Sequence, residues 1–188
     1  MNIKAYFCKR SLLKENHKCV CKSKASGQKQ LLPIVFHERY NVSFLGLEKL
    51  HPFDAQKYGR VYNHLLQLKA VDNAKHEVHH PSFPNRELFS ELMSASYLFK
   101  LNYSILICKY LEAPLFFLPE FLLRWRVLEP MQLATQGSID AACLALKYGW
   151  GINLAGGYHH AHCECGGGFC IYPDITMIVH YMRKWHDV

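Results

Sequence analysis

Two adjacent histidines, His159 and His160, lie between the glycine-rich segments 156–157 and 166–168. Neighbouring side chains on a strand point to opposite faces, so both imidazoles can face one point only where the backbone turns. Flanking glycines permit that turn. Histidine is the side chain that takes up or releases a proton near neutral pH. The pattern therefore predicts an acid/base pair on a loop.

The segments around the histidines predict an α/β arrangement. Residues 151–154 form an apolar run typical of a strand that ends just before the histidines. The spacing of apolar residues over 137–147 predicts a helix that Gly149 can end, and Asp174 is expected to cap a last helix. In such folds, ligands bind beyond the carboxyl ends of the strands. In the helix predicted over 137–147, the apolar positions expected to face inward are Ile139, Ala142, Cys143 and Leu146. In the last helix, the apolar positions are Ile175, Ile178, Val179 and Met182.

The first half of the chain predicts one strand and two helices. The apolar run over 33–37 is typical of a strand. Residues 76–84 contain three histidines and two prolines, which favours a loop. Residues 115–118 are interpreted either as a loop clamp or as a short buried segment. One predicted helix follows Asp54, with Tyr58, Val61, Tyr62, Leu65 and Leu68 on one face, and the other follows Asn85, with Leu88, Leu92, Ala95 and Phe99 in register.

Charge divides the chain into two parts. A chain of 188 residues, half of them hydrophobic, can form one domain with a sizeable core. Residues 1–30 contain eight Lys/Arg and one Glu, whereas residues 31–188 contain fourteen of each sign. We name residues 1–30 the basic leader. A disordered, solvated leader is favoured over a nuclear address or a contact with anionic surfaces. No basic face, and hence no direct nucleic-acid site, is argued for the neutral remainder, residues 31–188.

Cysteine usage and hydropathy favour the interior of the cell. The chain opens without a secretory signal, and its eight cysteines form no regular disulfide framework. Free thiols in a reducing compartment are therefore expected. The longest apolar stretch, 103–118, is interrupted by Lys109, Glu112 and Pro114, so no membrane span is predicted.

Several motifs together resemble a known family. Residues 33–187 resemble the N-terminal half of a histone deacetylase domain, of the class IV (histone deacetylase eleven) type. The resemblance covers about four fifths of the chain and roughly half of a complete deacetylase domain. It rests on the runs 39–54, 117–119, 149–153, 156–160 and 167–175, of which the tandem histidines and Gly168-Phe169-Cys170 are the most specific.

The resemblance implies a three-layer α/β fold with a parallel sheet of the arginase/deacetylase type, here truncated. It implies zinc-dependent hydrolysis of acyl-lysine amides in proteins such as histones, in the nucleus or the cytoplasm. His159 and His160 match the histidines that flank a zinc-bound water, with one acting as general base. Gly168 and Phe169 match the tunnel that takes the acyl-lysine. Gly157, Cys170 and Asp174 match structural positions of the motifs.

The zinc ligands of the family have no counterpart in this chain. Asp-x-His does not occur in it, so no metal ligand is assigned and the chain is expected to be inactive alone. Two alternatives to a deacylase remain open. One is a catalytically dead, truncated product that binds partners, with an incomplete sheet that associates with other chains. The other is a small metal- or RNA-binding module built on the basic leader and on the loop that contains His162, Cys163, Cys165 and Cys170. His76, His79 and His80 also have metal-like spacing, but a solvated loop is favoured there.

Overall fold

The computed structural model describes residues 29–43 and 54–186. The basic leader, predicted over residues 1–30, lies outside the described residues except for its last two. Gln30 already belongs to the first strand. Residues 44–53, which contribute to one of the family-like runs, also lie outside them.

Three parallel strands form the sheet of the described residues, in the order β2-β1-β3. Strand β1 is Gln30–Val35, β2 is His76–His79 and β3 is Ile152–Asn153. Ile34 pairs with Ile152, which places β3 beside the end of β1. The strands predicted over 33–37 and 151–154 are therefore confirmed, β3 being two residues long.

Helices cover both faces of this sheet. Alternate side chains of β1 point to opposite faces. Ile34 packs in one cluster with Val71, Val78 and apolar residues of the first helix, whereas Val35 packs in another with Ala141 and Leu144 of the long helix. The arrangement is helix, sheet, helix. It confirms the predicted three-layer α/β class with a parallel sheet.

Seven α-helices lie in the described residues, together with a 3-10 turn at Glu38–Tyr40. A π-helical segment, Arg124–Leu128, joins the fifth helix to the sixth without a break. The sixth ends at Gly149 in the left-handed conformation (φ 82°), as predicted. None of the helices in the described ranges is long and apolar enough to cross a membrane. The helices are α1 Lys57–Gln67, α2 Arg86–Leu92, α3 Ala95–Lys100, α4 Ser104–Leu111, α5 Glu120–Leu123, α6 Glu129–Tyr148 and α7 Asp174–His186.

The loop predicted over 76–84 is wrong in its first part, because His76–His79 is strand β2. This strand pairs with β1 from Gln30↔His76 onward. Its partner lies more than forty residues away, so the local run of histidines gave no sign of the pairing. Val78, the buried residue of this strand, packs on the α1 side of the sheet.

The single helix predicted from Asn85 to Phe99 is two helices. The first follows Asn85 as predicted, and the Asn85 side chain caps it by accepting from the Glu87 amide. The helix ends before Met93, and a new helix, α3, begins after Ser94, because the Ser94 hydroxyl accepts from the Tyr97 amide and caps it. The Ser94 amide itself donates to the Cys163 carbonyl, which ties this break to the segment after the histidines.

Several apolar positions predicted from spacing are exposed. Leu146 on α6 is 52% exposed, so its predicted inward orientation is wrong. On α7, Ile175 and Val179 lie exposed, while Met177, Tyr181 and Met182 are buried. Val61 on α1 and Leu68 just after it are also exposed. Residues 115–118 form a turn, and the side chains of Phe116 and Phe117 in it are exposed.

Candidate functional site

The predicted histidines lie on a turn directly after β3. The Leu154 amide donates to the Val35 carbonyl, which extends the parallel pairing one residue beyond the strand. Gly156 and Gly157 then take φ values of 87° and 79°, a region that favours glycine. His159 and His160 follow with exposed side chains. The predicted loop beyond the carboxyl end of a strand is therefore present.

The turn brings the two imidazoles together. The ring centroids of His159 and His160 lie 4.1 Å apart, with 41° between the ring planes. Nδ1 of His159 lies 3.0 Å from the Gly157 carbonyl oxygen. A carbonyl only accepts, so Nδ1 donates its proton in this hydrogen bond. In the neutral ring Nε2 is then unprotonated and can accept a proton.

A second loop, 167–170, packs against His160. Gly168 has φ 51°, and a Cβ atom added there would lie 2.8 Å from Cγ and Cδ2 of the His160 ring. Its amide donates to Oε1 of Glu112 (3.2 Å), a residue that itself has φ 53°. Phe169 has φ 65°, and its amide donates to the Tyr110 carbonyl. Of the two predicted tunnel residues, Gly168 therefore contacts a predicted catalytic histidine directly.

Asp174 holds the backbone that leads into the histidines. Its side chain is 1% exposed. The Gly157 amide donates to Oδ2 (2.8 Å) and the Tyr158 amide donates to Oδ1 (2.7 Å). The Ser138 hydroxyl donates to Oδ2 as well (2.7 Å). The prediction that Asp174 caps α7 is therefore wrong, since α7 begins at this residue and its carboxylate binds the histidine loop.

Two residues of this network were missed in the sequence. Ser138 lies within α6, and its hydroxyl also accepts from Nδ2 of Asn153 (3.1 Å). The same Asn153 amide donates to the Ala134 carbonyl (2.9 Å). A polar residue in the apolar run 151–154 was the available signal, because a buried amide needs partners.

Cys170 lies beneath the histidine pair. It is buried, and its thiol donates to the Gly168 carbonyl (3.4 Å). Burial raises the pKa of this thiol, and the backbone amides of His160 and Ala161 oppose that rise by donating to the sulfur. The predicted structural position Cys170 therefore contacts both loops of the site.

Comparison with known proteins identifies the family. The histone deacetylase domain family matches residues 51–188. The chain belongs to the histone deacetylase family. It is 38% identical over 149 residues to "Histone deacetylase 2" of Arabidopsis thaliana, a match that covers 79% of this chain and 38% of that protein.

Two further proteins are similar to this chain. An uncharacterised protein of Picosynechococcus sp. is 27% identical over 154 residues, which is 81% of this chain and 47% of that protein. The crystal structure of the HDA15 HD domain superposes with a TM-score of 0.59 at 16% identity, over 84% of this chain and 44% of that one. This structural likeness shows the fold. The chain thus spans less than half the length of these relatives.

The described residues of this chain form no zinc site of their own. Histone deacetylases are generally zinc-dependent. Within residues 29–43 and 54–186, no group of three or more His, Cys, Asp or Glu side chains is placed to hold a metal ion. His162 pairs with Cys165 and Gly167 pairs with Cys170 in two small antiparallel bridges, and the Cys165 thiol donates to the Gly166 carbonyl.

A large cavity in the described part of the chain lies away from the histidine pair. It has a volume of about 690 Å³ and is bounded by the end of β2, by α6 and by α7. His79 and Asp140 line it, with His79 Nε2 2.9 Å from Asp140 Oδ2. None of the predicted site residues lines this cavity. The predicted site is an exposed surface turn instead.

Proposed function

We propose that this chain supplies the histidine loop of a protein lysine deacylase of the class IV type. His159 and His160 transfer protons during hydrolysis of an acyl-lysine amide, and Gly168 and Phe169 form part of the wall that receives the acyl-lysine. Gly157, Cys170 and Asp174 hold the two loops in place. The class IV assignment rests on the sequence runs 39–54 and 156–175.

The contact between the two imidazoles supports this function most strongly. Rings with centroids 4.1 Å apart, on an exposed turn, can act on the same substrate group. Nε2 of His159 is available as a proton acceptor, because Nδ1 donates to the Gly157 carbonyl. The neighbouring His160 can serve as the proton donor to the leaving amine. Acylated histones and other acyl-lysine proteins, in the nucleus or the cytoplasm, are the proposed substrates.

Metal-assisted hydrolysis needs ligands that we do not assign in this chain. A bound zinc ion supplies an acidified water and polarises the acyl carbonyl. The purified 188-residue chain is therefore expected to show no zinc-dependent turnover of an acyl-lysine peptide. The measurement compares wild type with His160→Ala in the presence of added zinc. Turnover that disappears in the variant would contradict this expectation.

A chimera tests the proposed function itself. The segment of the Arabidopsis relative that matches this chain is replaced by residues 33–186, and acyl-lysine turnover is measured. We expect the folded chimera to turn over the peptide, and His160→Ala to reduce kcat by about a hundredfold or more. His180→Ala, which changes an exposed histidine of α7, serves as the matched control. A folded chimera without turnover would disprove the proposal.

The edge of the sheet favours a second candidate, a partner-binding module. Within the described residues β3 pairs only with β1, and Ile152 is 48% exposed. Trp150 just before it is 46% exposed. An open apolar edge is a template for pairing with another chain. Light scattering of wild type against Ile152→Lys tests this: a shift from assembly to monomer favours it, and identical masses contradict it.

A further inference from the structure

A continuous set of buried and partly buried hydrogen bonds runs from the sheet to the histidine loop. Asn153, at the end of β3, donates to the Ser138 hydroxyl on α6, and that hydroxyl donates to Asp174 at the start of α7. Asp174 then accepts from the amides of Gly157 and Tyr158. Three separate elements thus meet on the backbone that precedes the histidines.

The proton of the Ser138 hydroxyl has one favoured direction. A serine hydroxyl donates one hydrogen bond and accepts others. Its oxygen lies 2.7 Å from Asp174 Oδ2 but 3.3 Å from the Ala134 carbonyl of its own helix. Hydrogen bonds to a carboxylate are shorter and stronger than those between neutral groups. The amide of Asn153 fills an acceptor position of the hydroxyl, which leaves the proton for Asp174.

The peptide group of Gly157 links this network to the catalytic candidate His159. Its N–H donates to Asp174, and its carbonyl accepts from both the amide (2.9 Å) and Nδ1 (3.0 Å) of His159. A rotation of this peptide group would break these bonds together. The orientation of the Asp174 carboxylate therefore decides whether Nδ1 of His159 keeps its acceptor.

We infer that Ser138 is a positioning residue for the histidine pair, acting through Asp174 and the Gly157 peptide group to hold His159 with its proton on Nδ1. The inference rests on the proposed acid/base role of the pair. In this view a residue of α6, a helix whose middle forms no part of the exposed site, selects Nε2 of His159 as the proton-accepting nitrogen. Ser138 touches no reacting group itself.

Nitrogen NMR of the full chain tests this inference directly, since ring 15N shifts distinguish a protonated from an unprotonated nitrogen. Wild type should show His159 protonated at Nδ1 and unprotonated at Nε2 above neutral pH. In Ser138→Ala this difference should shrink as tautomers mix. Exchange of the Gly157 and Tyr158 amides should become about five- to tenfold faster, as expected for the loss of one hydrogen bond to a carboxylate.

Thr135→Val is the matched control. Thr135 lies on the same helix, is fully buried, and its hydroxyl donates to the Met131 carbonyl, away from the loop. This variant should leave the His159 shifts and both amide exchange rates unchanged. The inference is overturned if Ser138→Ala behaves as Thr135→Val does. It is also overturned if wild-type His159 carries its proton on Nε2, a result that needs no variant.

These measurements do not involve turnover, so they separate this inference from the proposed function. A chimera without activity, together with a Ser138-dependent His159 tautomer, would reject the deacylase and leave the positioning role intact. An active chimera, together with His159 signals that do not change in Ser138→Ala, would support the deacylase and reject the positioning role.

Discussion

Gly156 packs on Asp174 so closely that a Cβ atom there would lie 2.5 Å from the carboxylate oxygen Oδ2. The same Cβ would also collide with the Ser138 hydroxyl. The glycine is thus needed twice, for its φ of 87° and for the space beside a buried carboxylate.

Gly156→Ala is therefore expected to lower the free energy of unfolding by about 2–4 kcal/mol, from backbone strain together with overpacking. Gly157→Ala is the control. Gly157 has a similar φ of 79° but no atom within 4 Å of the added Cβ, so strain alone should cost about 1 kcal/mol. Urea unfolding of both variants measures the difference. Equal losses would show that the contact with Asp174 has no energetic role.

His37 gives the fold a dependence on pH. Its Nδ1 accepts from the Arg39 amide and so must be unprotonated. Burial, with smaller contributions from His80 and Arg39, lowers the pKa of His37 below its ordinary value. At pH values between the lowered pKa of the folded state and the ordinary pKa of histidine, the unfolded chain therefore binds more protons than the folded one. Stability is complete above about pH 7 and falls as the pH decreases through about 6.5 toward the lowered pKa.

His37→Asn supplies a side-chain oxygen that can cap the 3-10 turn at any of these pH values. We expect its free energy of unfolding to decrease less than that of wild type between about pH 7.5 and pH 5.5. Urea titrations at both pH values measure the slopes. All other ionisable groups are common to the two proteins, so the difference between the slopes reports on His37 and its interaction with His80. Parallel slopes would refute a contribution from His37.

The thiol of Cys143 should react slowly with alkylating reagents. It lies on α6 beside the cavity, where burial, and to a lesser extent the charge of Asp140, raises the pKa of its thiol to about 12. Alkylation requires the thiolate, so at about pH 8 the reaction should be roughly a thousandfold slower than that of an ordinary cysteine. Peptide mapping after timed iodoacetamide treatment measures this. Denaturing urea should abolish the protection, and rapid labelling without urea would contradict the assignment.

The basic leader is expected to contribute little to stability, because it carries the charge excess of the chain and no sustained apolar period. Deletion of residues 1–28 should leave the thermal unfolding midpoint nearly unchanged. Deletion of residues 1–30 is the sharper comparison, since the Gln30 amide donates to the Lys75 carbonyl (2.8 Å). Loss of several kcal/mol in the shorter deletion would show that the leader is part of the fold.

The sequence alone determined those features that depend on near neighbours. The apolar run around Ile34 predicted β1, and Gly149 predicted the end of α6, since only glycine takes that conformation without strain. The apolar spacing after Asn85 predicted the start of α2. The tandem histidines between glycines predicted a turn after a strand. In each of these cases the deciding interactions lie within a few residues along the chain.

Only the tertiary structure decided which polar groups meet. The bond from Ser138 to Asp174 joins residues 36 apart, and the pair His79–Asp140 joins residues 61 apart. β2 exists because β1 lies beside it, and the carboxylate of Asp174 turned to the histidine loop instead of capping its own helix. Buried polar groups must find partners wherever the packing of the elements places them. Local spacing therefore located the histidines, and packing decided what holds them.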